Sequence, residues 1–187
     1  RFTGSVGYMV TFRQMDPLFA LDLSDPTAPR VTSELKIPGF STYLHPFGEG
    51  RLLGLGYDTE NARTNGMKFS MFDVSDPFDV TEKFVHSMSA SYSEALYNHK
   101  AVLVDVGHNI IGLPTYENDG SLVYLVYGYD DEQGFTRRGR LALGSSGLSS
   151  YSGIRGLFID DYLYVFSGDY LDVFDLETLQ HVALVEA

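Results

Sequence analysis

A five-residue string occurs twice in this chain, 51 residues apart. DLSDP at 22–26 returns as DVSDP at 73–77, and each copy lies between two runs of apolar residues. Recurrence at a period of about 40–50 residues is typical of repeat proteins whose units are small sheets. The repeat therefore restricts the chain to an array of similar units.

The string predicts the turn between two antiparallel strands. Proline ends the preceding strand because it has no N–H to donate, and Asp-Pro is favoured at the first two positions of a type I turn. We interpret the carboxylates of Asp22 and Asp73 as turn formers that accept a backbone N–H two residues on. Reading the same position in four units gives Asp22, Asp73, Tyr127 and Asp175, at spacings of 51, 54 and 48 residues.

Apolar runs and turns along the chain predict an all-β fold, a β-propeller of four blades, each a four-stranded antiparallel meander. The approximate blade bounds are 1–38, 39–90, 91–148 and 149–187. The stretch 57–66 is predicted as a polar loop, and 95–97 opens a less regular third blade. Because propellers have about 4–8 blades, four blades either close alone or form half of a larger ring completed by a second copy. The chain starts inside a predicted strand, so we expect it to be a fragment.

Composition restricts the function classes. The chain of 187 residues has 13 basic and 25 acidic residues, a net charge of −12. This balance argues against non-specific nucleic-acid binding and against docking on anionic membranes. The chain has no cysteine, which excludes disulfides and thiol chemistry. No run reaches the roughly 18 apolar residues that a membrane-spanning helix needs.

Four stretches resemble a known family. They are TFRQ at 11–14, DLSDP at 22–26, PGFSTYLHP at 38–46 and SYSEALYNHKA at 91–101. These strings look like those of bacterial and archaeal secreted proteins that carry a C-terminal β-propeller domain distantly related to WD-40 repeats. The resemblance covers the first three blades well and the last more loosely. It implies an extracytoplasmic protein, secreted or anchored to a membrane through another segment, and it implies no catalytic residue.

An aromatic-Ser pair recurs where three blades begin, at 40–41, 92–93 and 151–152. The first strand of a blade lines the central channel, so polar groups here would surround the channel mouth. We expect the serines to make local backbone bonds. The candidate ligand-binding residues at this mouth are Arg13, Tyr43, His45, Glu94, His99 and Arg155.

Metal and cofactor signals are weak. The five histidines show no close pairing of the helical zinc type, although His45 and His99 lie in comparable first-strand regions. The stretch 58–61, with 65–66 nearby, offers several oxygen ligands of the kind calcium prefers, but its order does not fit an EF-hand loop. We therefore predict no metal site and no cofactor, with calcium as the alternative.

Three functions remain open from the sequence. The first is a non-catalytic binding or scaffold module that recognises a protein or carbohydrate through its loops. The second is an extracytoplasmic hydrolase or lyase acting on glycans or peptides, with Glu94, Tyr43, His99 and Arg155 as its cluster. The third is a calcium-stabilised repeat without a ligand of its own. Self-association that completes a ring is compatible with each, and fold alone does not choose among them.

Overall fold

The computed structural model of the protein describes residues 1–11, 17–60, 63–89, 92–144 and 153–186. Within these ranges the chain forms sixteen strands and two short 3-10 turns. The strands combine into four antiparallel sheets of four strands each, with consecutive strands as neighbours. The predicted all-β fold of four-stranded meanders is thereby confirmed. The chain divides into two compact units, Arg1–Ala90 and Ser91–Ala187.

The first unit contains two sheets. Sheet 1 consists of β1 (Phe2–Thr3), β2 (Val6–Val10), β3 (Pro17–Asp22) and β4 (Arg30–Lys36). Sheet 2 consists of β5 (Phe40–Pro46), β6 (Arg51–Glu60), β7 (Arg63–Asp73) and β8 (Thr81–Ser89). One face of each sheet packs on the other, because Tyr8, Leu18 and Ala20 share a buried apolar cluster with Leu52 and Phe72.

The second unit repeats this arrangement. Sheet 3 consists of β9 (Leu103–Asp105), β10 (Ile110–Tyr116), β11 (Leu122–Asp130) and β12 (Gly134–Ala142). Sheet 4 consists of β13 (Arg155–Ile159), β14 (Tyr162–Ser167), β15 (Tyr170–Asp175) and β16 (His181–Glu186). Tyr124 and Val126 of sheet 3 share a buried cluster with Leu163, Val165 and Phe174 of sheet 4.

Tyr124 fills a slot between two glycines in this second core. A Cβ atom at Gly156 would lie 2.0 Å from its phenol oxygen, and one at Gly112 would lie 2.7 Å from it. The side chain is fully buried, and its hydroxyl has no hydrogen-bond partner. Burial raises the pKa of this phenol far above its ordinary value. The two glycines are therefore a steric requirement of the packing of sheet 3 on sheet 4.

The pairing between the third and fourth strands contains the same irregularity in every sheet. Its register shifts by one residue after Ala20, Met71, Val126 and Val173. The fourth strand contributes the extra residue each time, which makes the irregularity a β-bulge in an edge strand. Bulges of this kind twist an edge away from unwanted pairing.

The bulge corrects one sequence prediction. Tyr127 follows the bulge directly, so it aligns with Phe72 of sheet 2 and not with Asp73. The third strand of sheet 3 continues for three more residues and ends at Asp130. Asp130 accepts the N–H groups of Glu132 at 2.8 Å and Gln133 at 2.6 Å. The turn-forming carboxylate is therefore retained in sheet 3, and the assignment of its position to Tyr127 was wrong.

The predicted role of the turn aspartates is confirmed. The N–H of Ser24 donates to Asp22 at 2.9 Å, and the N–H of Ser75 donates to Asp73 at 3.1 Å. Each carboxylate also pairs with an arginine, Arg30 at 2.8 Å and Arg51 at 2.9 Å respectively. The hydroxyl and N–H of Ser24, together with Arg30, lower the pKa of Asp22 to about 2.

The predicted polar loop at 57–66 is wrong. β6 extends to residue 60 and β7 begins at residue 63, so most of this stretch is paired strand. The prediction failed because the stretch is polar and lacks the apolar alternation that marks a strand, while backbone pairing does not require apolar side chains.

Candidate functional site

Two consecutive 3-10 turns lead into sheet 3, at Glu94–Leu96 and His99–Ala101. The side chain of Ser93 accepts the N–H of Ala95 at 3.0 Å, and Asn98 accepts the N–H of Lys100 at 3.2 Å. Ser93 also donates its hydroxyl to the carbonyl of Pro114. Serine and asparagine favour such local bonds over strand pairing, so the predicted first-strand segment 95–97 is a capped turn instead.

These turns place the carboxylate of Glu94 within hydrogen-bonding distance of several N–H donors. Arg155 donates to both of its carboxylate oxygens, at 2.9 and 3.1 Å, as a bidentate ion pair. The N–H of Gly153 adds a bond at 2.8 Å, and the side-chain amide of Asn98 adds one at 2.6 Å. The residue is only 2% exposed. Its carboxylate therefore accepts four hydrogen bonds.

The pKa of Glu94 reflects these bonds. Burial, the largest single effect, raises the pKa of the carboxyl group. The hydrogen bonds from Arg155, Gly153 and Asn98 together outweigh burial, and the pKa lies below its ordinary 4.5. Glu94 is therefore ionised at neutral pH, and its negative charge is neutralised by Arg155.

Three tyrosine rings cluster around the same turns. The ring of Tyr92 lies 6.2 Å from that of Tyr97 and 6.4 Å from that of Tyr116, centroid to centroid. The backbones of Tyr92 and Tyr116 also pair in an isolated β-bridge. Tyr97 is 63% exposed and Tyr92 is 44% exposed. We call these three residues the tyrosine patch.

A second polar group lies in the first unit, on β5. The hydroxyl of Tyr43 lies 2.7 Å from Nδ1 of His45. The guanidinium of Arg1 lies 3.2 Å from the hydroxyl and 3.3 Å from Nδ1. Burial, and then the charge of Arg1, lower the pKa of His45. The imidazole is therefore neutral at pH 7, and its Nδ1 accepts hydrogen bonds.

The structure brings the predicted ligand-binding residues together in two groups. Glu94 and Arg155 form an ion pair in the second unit, and Tyr43 and His45 form a hydrogen bond in the first. His99 is exposed on the second 3-10 turn, whereas His45 lies on a strand, so the two histidines do not occupy comparable positions. Arg13 lies outside the described residues, as does the third aromatic-Ser pair at 151–152.

Ser93 and Ser41, which belong to the recurring aromatic-Ser pairs, differ in their hydrogen bonds. Ser93 makes the local backbone bonds expected of it. Ser41 is buried beside Gly54, and its hydroxyl has no hydrogen-bond partner.

Among the described residues, no three or more His, Asp or Glu side chains lie close enough to hold a metal ion. The oxygen-rich residues 58–60 belong to β6, so they form a strand and not a ligand loop. No helix in the described part of the chain is long and apolar enough to cross a membrane.

Two crevices lie between sheets 3 and 4. One of 440 Å³ contains the buried carboxylate of Asp172, which accepts the N–H of Gly144 at 2.9 Å and lies 3.0 Å from Nε2 of His181. The other, of 470 Å³, is lined by His108 and by Arg138, which donates to the carbonyls of His108 and Asn109. One polar bond in each crevice joins the two sheets: the N–H of Gly144 donates to Asp172, and Arg138 donates to the carbonyl of Leu176 at 3.4 Å.

Sequence reasoning missed Tyr97 and Tyr116 as site residues. Each lies in a stretch that also contains other polar residues, and nothing in their spacing of 19 residues shows that they meet at Tyr92. The bridge between Tyr92 and Tyr116, together with the bond from Ser93 to the carbonyl of Pro114, brings the two stretches together.

Comparison with known proteins gives one family and two close relatives. Residues 1–179 match the family model described as the beta propeller domain. An uncharacterised protein of Archaeoglobus fulgidus is 38% identical over 184 residues, which cover 97% of this chain and 26% of the relative. An uncharacterised protein of Methanocaldococcus jannaschii is 32% identical over 186 residues, 100% of this chain and 27% of the relative. The chain thus spans about a quarter of the length of these curated relatives.

Among solved structures, the N-terminal domain of Nup159 aligns with 94% of this chain and 61% of its own length. Its TM-score is 0.29 and its sequence identity 11%, too low to carry an argument.

Proposed function

Because the chain belongs to the beta propeller domain family, we propose that it is a non-catalytic binding and scaffold module that recognises a partner through the turns leading into its sheets. The tyrosine patch is the observation that carries this proposal. Two of its three residues, Tyr92 and Tyr97, are exposed, next to turns that side-chain caps hold in place.

Tyrosines suit recognition for a physical reason. Each offers a large, rigid, apolar ring with a polar hydroxyl, and ordering it costs little conformational entropy because the side chain has few rotatable bonds. Tyr92 and Tyr97 are exposed while their rings already contact each other. A ligand that stacks on them therefore meets a surface that is ordered before binding, which lowers the entropic cost of association.

The state of Glu94 supports a binding role over an enzymatic one. A general acid needs a proton to give, and the lowered pKa of Glu94 keeps it ionised. A general base needs a free lone pair directed at the substrate, and both oxygens of Glu94 already accept two hydrogen bonds each. Glu94, the main candidate for a catalytic carboxylate, therefore already binds Arg155 and the backbone and side chain of the neighbouring segments.

The partner we propose is a protein or a carbohydrate. Aromatic rings bind the apolar faces of sugars and the side chains of proteins, and the net charge of −12 disfavours nucleic acid. We place the protein outside the cytoplasm, secreted or anchored to the membrane, on its resemblance to exported proteins. Fractionation of cells that make the natural protein, probed with an antibody against this chain, tests this location; recovery in the cytoplasmic fraction contradicts it.

Binding is tested with arrays of glycans and peptides probed by the labelled chain. We expect at least one class of ligand to be retained by the wild type and lost by Tyr97→Ala. Phe78→Ala is the matched control, since Phe78 is an aromatic residue of the first unit that is 70% exposed in the turn between β7 and β8. Equal retention by Tyr97→Ala and by the wild type contradicts the proposal.

A further inference from the structure

The outward face of sheet 4 is apolar although nothing described covers it. Along β14, Leu163, Val165 and Ser167 are buried, whereas Tyr162 and Phe166 are exposed. The pairing of β14 with β13 places Ile159 beside Tyr162 on the exposed side. A sheet with one solvated face normally alternates apolar with polar residues, and this sheet does not. Val185 lies on the same side of the sheet, across β15 from Phe166. We call the surface formed by Ile159, Tyr162, Phe166 and Val185 the sheet 4 face, and its four residues are 41 to 56% exposed.

Sheet 1 has an equivalent open surface on its outward side. Tyr8, Leu18 and Ala20 are buried against sheet 2. On the other side, Met9 pairs with Phe19, and Phe2 lies across from Gly7. Leu21 and Val31 continue the same side. We call this surface the sheet 1 face; Phe2, Met9 and Val31 in it are between 47 and 73% exposed.

Because the β-bulge occurs at the same point of every sheet, it allows residues of the two open faces to be aligned with residues that are buried inside each unit. Ala20 and Val173 both precede the bulge, and Leu18 and Leu171 lie two residues earlier. In sheet 1 these positions are buried against the next sheet in the chain. In sheet 4 the same positions belong to the open face.

The residues that directly follow the bulge lie on the other side of each sheet, and here sheet 1 is the sheet that leaves them open. Phe72 and Phe174 follow the bulge directly, and both are buried against the preceding sheet of their unit. Leu21 occupies this position in sheet 1, where it belongs to the open face. The two open faces are thus the two halves of the interface that each unit already forms once.

We propose that the sheet 4 face of one copy of this chain packs on the sheet 1 face of a second copy. The contact repeats the packing of sheet 1 on sheet 2 and of sheet 3 on sheet 4. It is heterologous, because two different surfaces meet, so it generates a ring when the rotation closes. Exposed apolar patches of this kind mark protein interaction sites, and burial of apolar area stabilises the contact.

The experiment measures the mass of the chain by light scattering during gel filtration at rising concentrations. The wild type is expected to associate, with a mass of two or more copies. Phe166→Glu blocks the sheet 4 face and Met9→Glu blocks the sheet 1 face, so each variant alone is expected to remain a monomer. Their equimolar mixture is expected to form a dimer of one copy of each, since one intact face of each kind remains.

Three results overturn the proposal. They are a wild type that stays monomeric at every concentration, single variants that associate as the wild type does, and a mixture that fails to recover the dimer. Phe78→Glu is the control for charge introduced at an exposed aromatic residue outside both faces, and it is expected to associate normally. Circular dichroism checks folding, and Tyr162→Lys with Val31→Lys form a second pair if either first variant is unfolded.

Discussion

The guanidinium of Arg155 binds both carboxylate oxygens of Glu94, with nitrogen–oxygen distances of 2.9 and 3.1 Å. This pair ties the first strand of sheet 4 to the turns in front of sheet 3, and therefore to the tyrosine patch. Glu94 is almost fully buried, while the side chain of Arg155 is 30% exposed. The ion pair therefore supports the turns beside the tyrosine patch, for which we propose a role in recognition.

Glu94→Gln tests this support. The variant keeps the shape of the side chain but loses the charge that pairs with Arg155, so the free energy of unfolding is expected to fall by about 2 kcal/mol. Urea denaturation at pH 7 measures the loss. The pair on the surface between Lys36 and Glu34 is the control: Glu34→Gln is expected to change stability by less than about 0.5 kcal/mol.

The contribution of Glu94 also depends on pH in a defined direction. Its pKa is lowered in the folded state, so its stabilisation is complete above its ordinary pKa of 4.5 and is lost as the pH falls below that value. The difference in melting temperature between the wild type and Glu94→Gln is therefore expected to shrink from pH 6 to pH 3. A difference that stays constant over this range contradicts the ion pair.

Gly156→Ala is expected to destabilise the second unit by about 2–3 kcal/mol, because the new methyl group would lie 2.0 Å from the hydroxyl of Tyr124. Tyr124→Phe removes that hydroxyl, which is buried without a partner, and is expected to be neutral or stabilising. The double variant should recover part of the loss, and a double-mutant cycle measures the coupling. Additive effects of the two substitutions would show that contact with the Tyr124 hydroxyl is not the reason why a larger side chain at position 156 is destabilising.

Asp73→Ala is expected to lower the free energy of unfolding by about 1 kcal/mol, since it removes bonds from the N–H and hydroxyl of Ser75. Those bonds, the hydroxyl first, lower the pKa of Asp73 below its ordinary 3.8. The loss should therefore disappear as the pH falls below about 4. Ligand binding should be unchanged, and weaker binding at unchanged stability would give this turn a functional role.

Lys68→Met tests a buried cation on β7. The ammonium of Lys68 donates to the carbonyl of Pro38 at 2.6 Å and lies 3.6 Å from Glu82, with the lysine side chain only 3% exposed. Removing it leaves Glu82 without its partner, and a loss of about 2–3 kcal/mol is expected. Lys68→Met combined with Glu82→Leu should be more stable than Lys68→Met alone. A double variant that is still less stable would contradict this explanation.

The sequence predicted the fold well because strands and turns leave local signals. The apolar runs and the Asp-Pro turns placed most strands within a few residues. The alignment of Tyr127 failed because sheet 3 extends its third strand beyond the bulge to Asp130, and a strand can lengthen without changing its apolar pattern.

The candidate site was predicted only in part. Glu94 and Arg155 were expected to converge, and they do. The tyrosine patch was not predicted, since it depends on a backbone bridge between Tyr92 and Tyr116, which are far apart in the chain. Contacts between distant residues leave no local pattern, and so only the structure shows which aromatic residues meet.

The most direct test of the account is to map the ligand selected on the arrays onto the isotopically labelled chain by NMR. We expect the largest chemical-shift changes on residues 92–101 and on Tyr116, with smaller changes at Arg155. Changes confined to the crevice of Asp172 and His181, or to the crevice of His108 and Arg138, would contradict it.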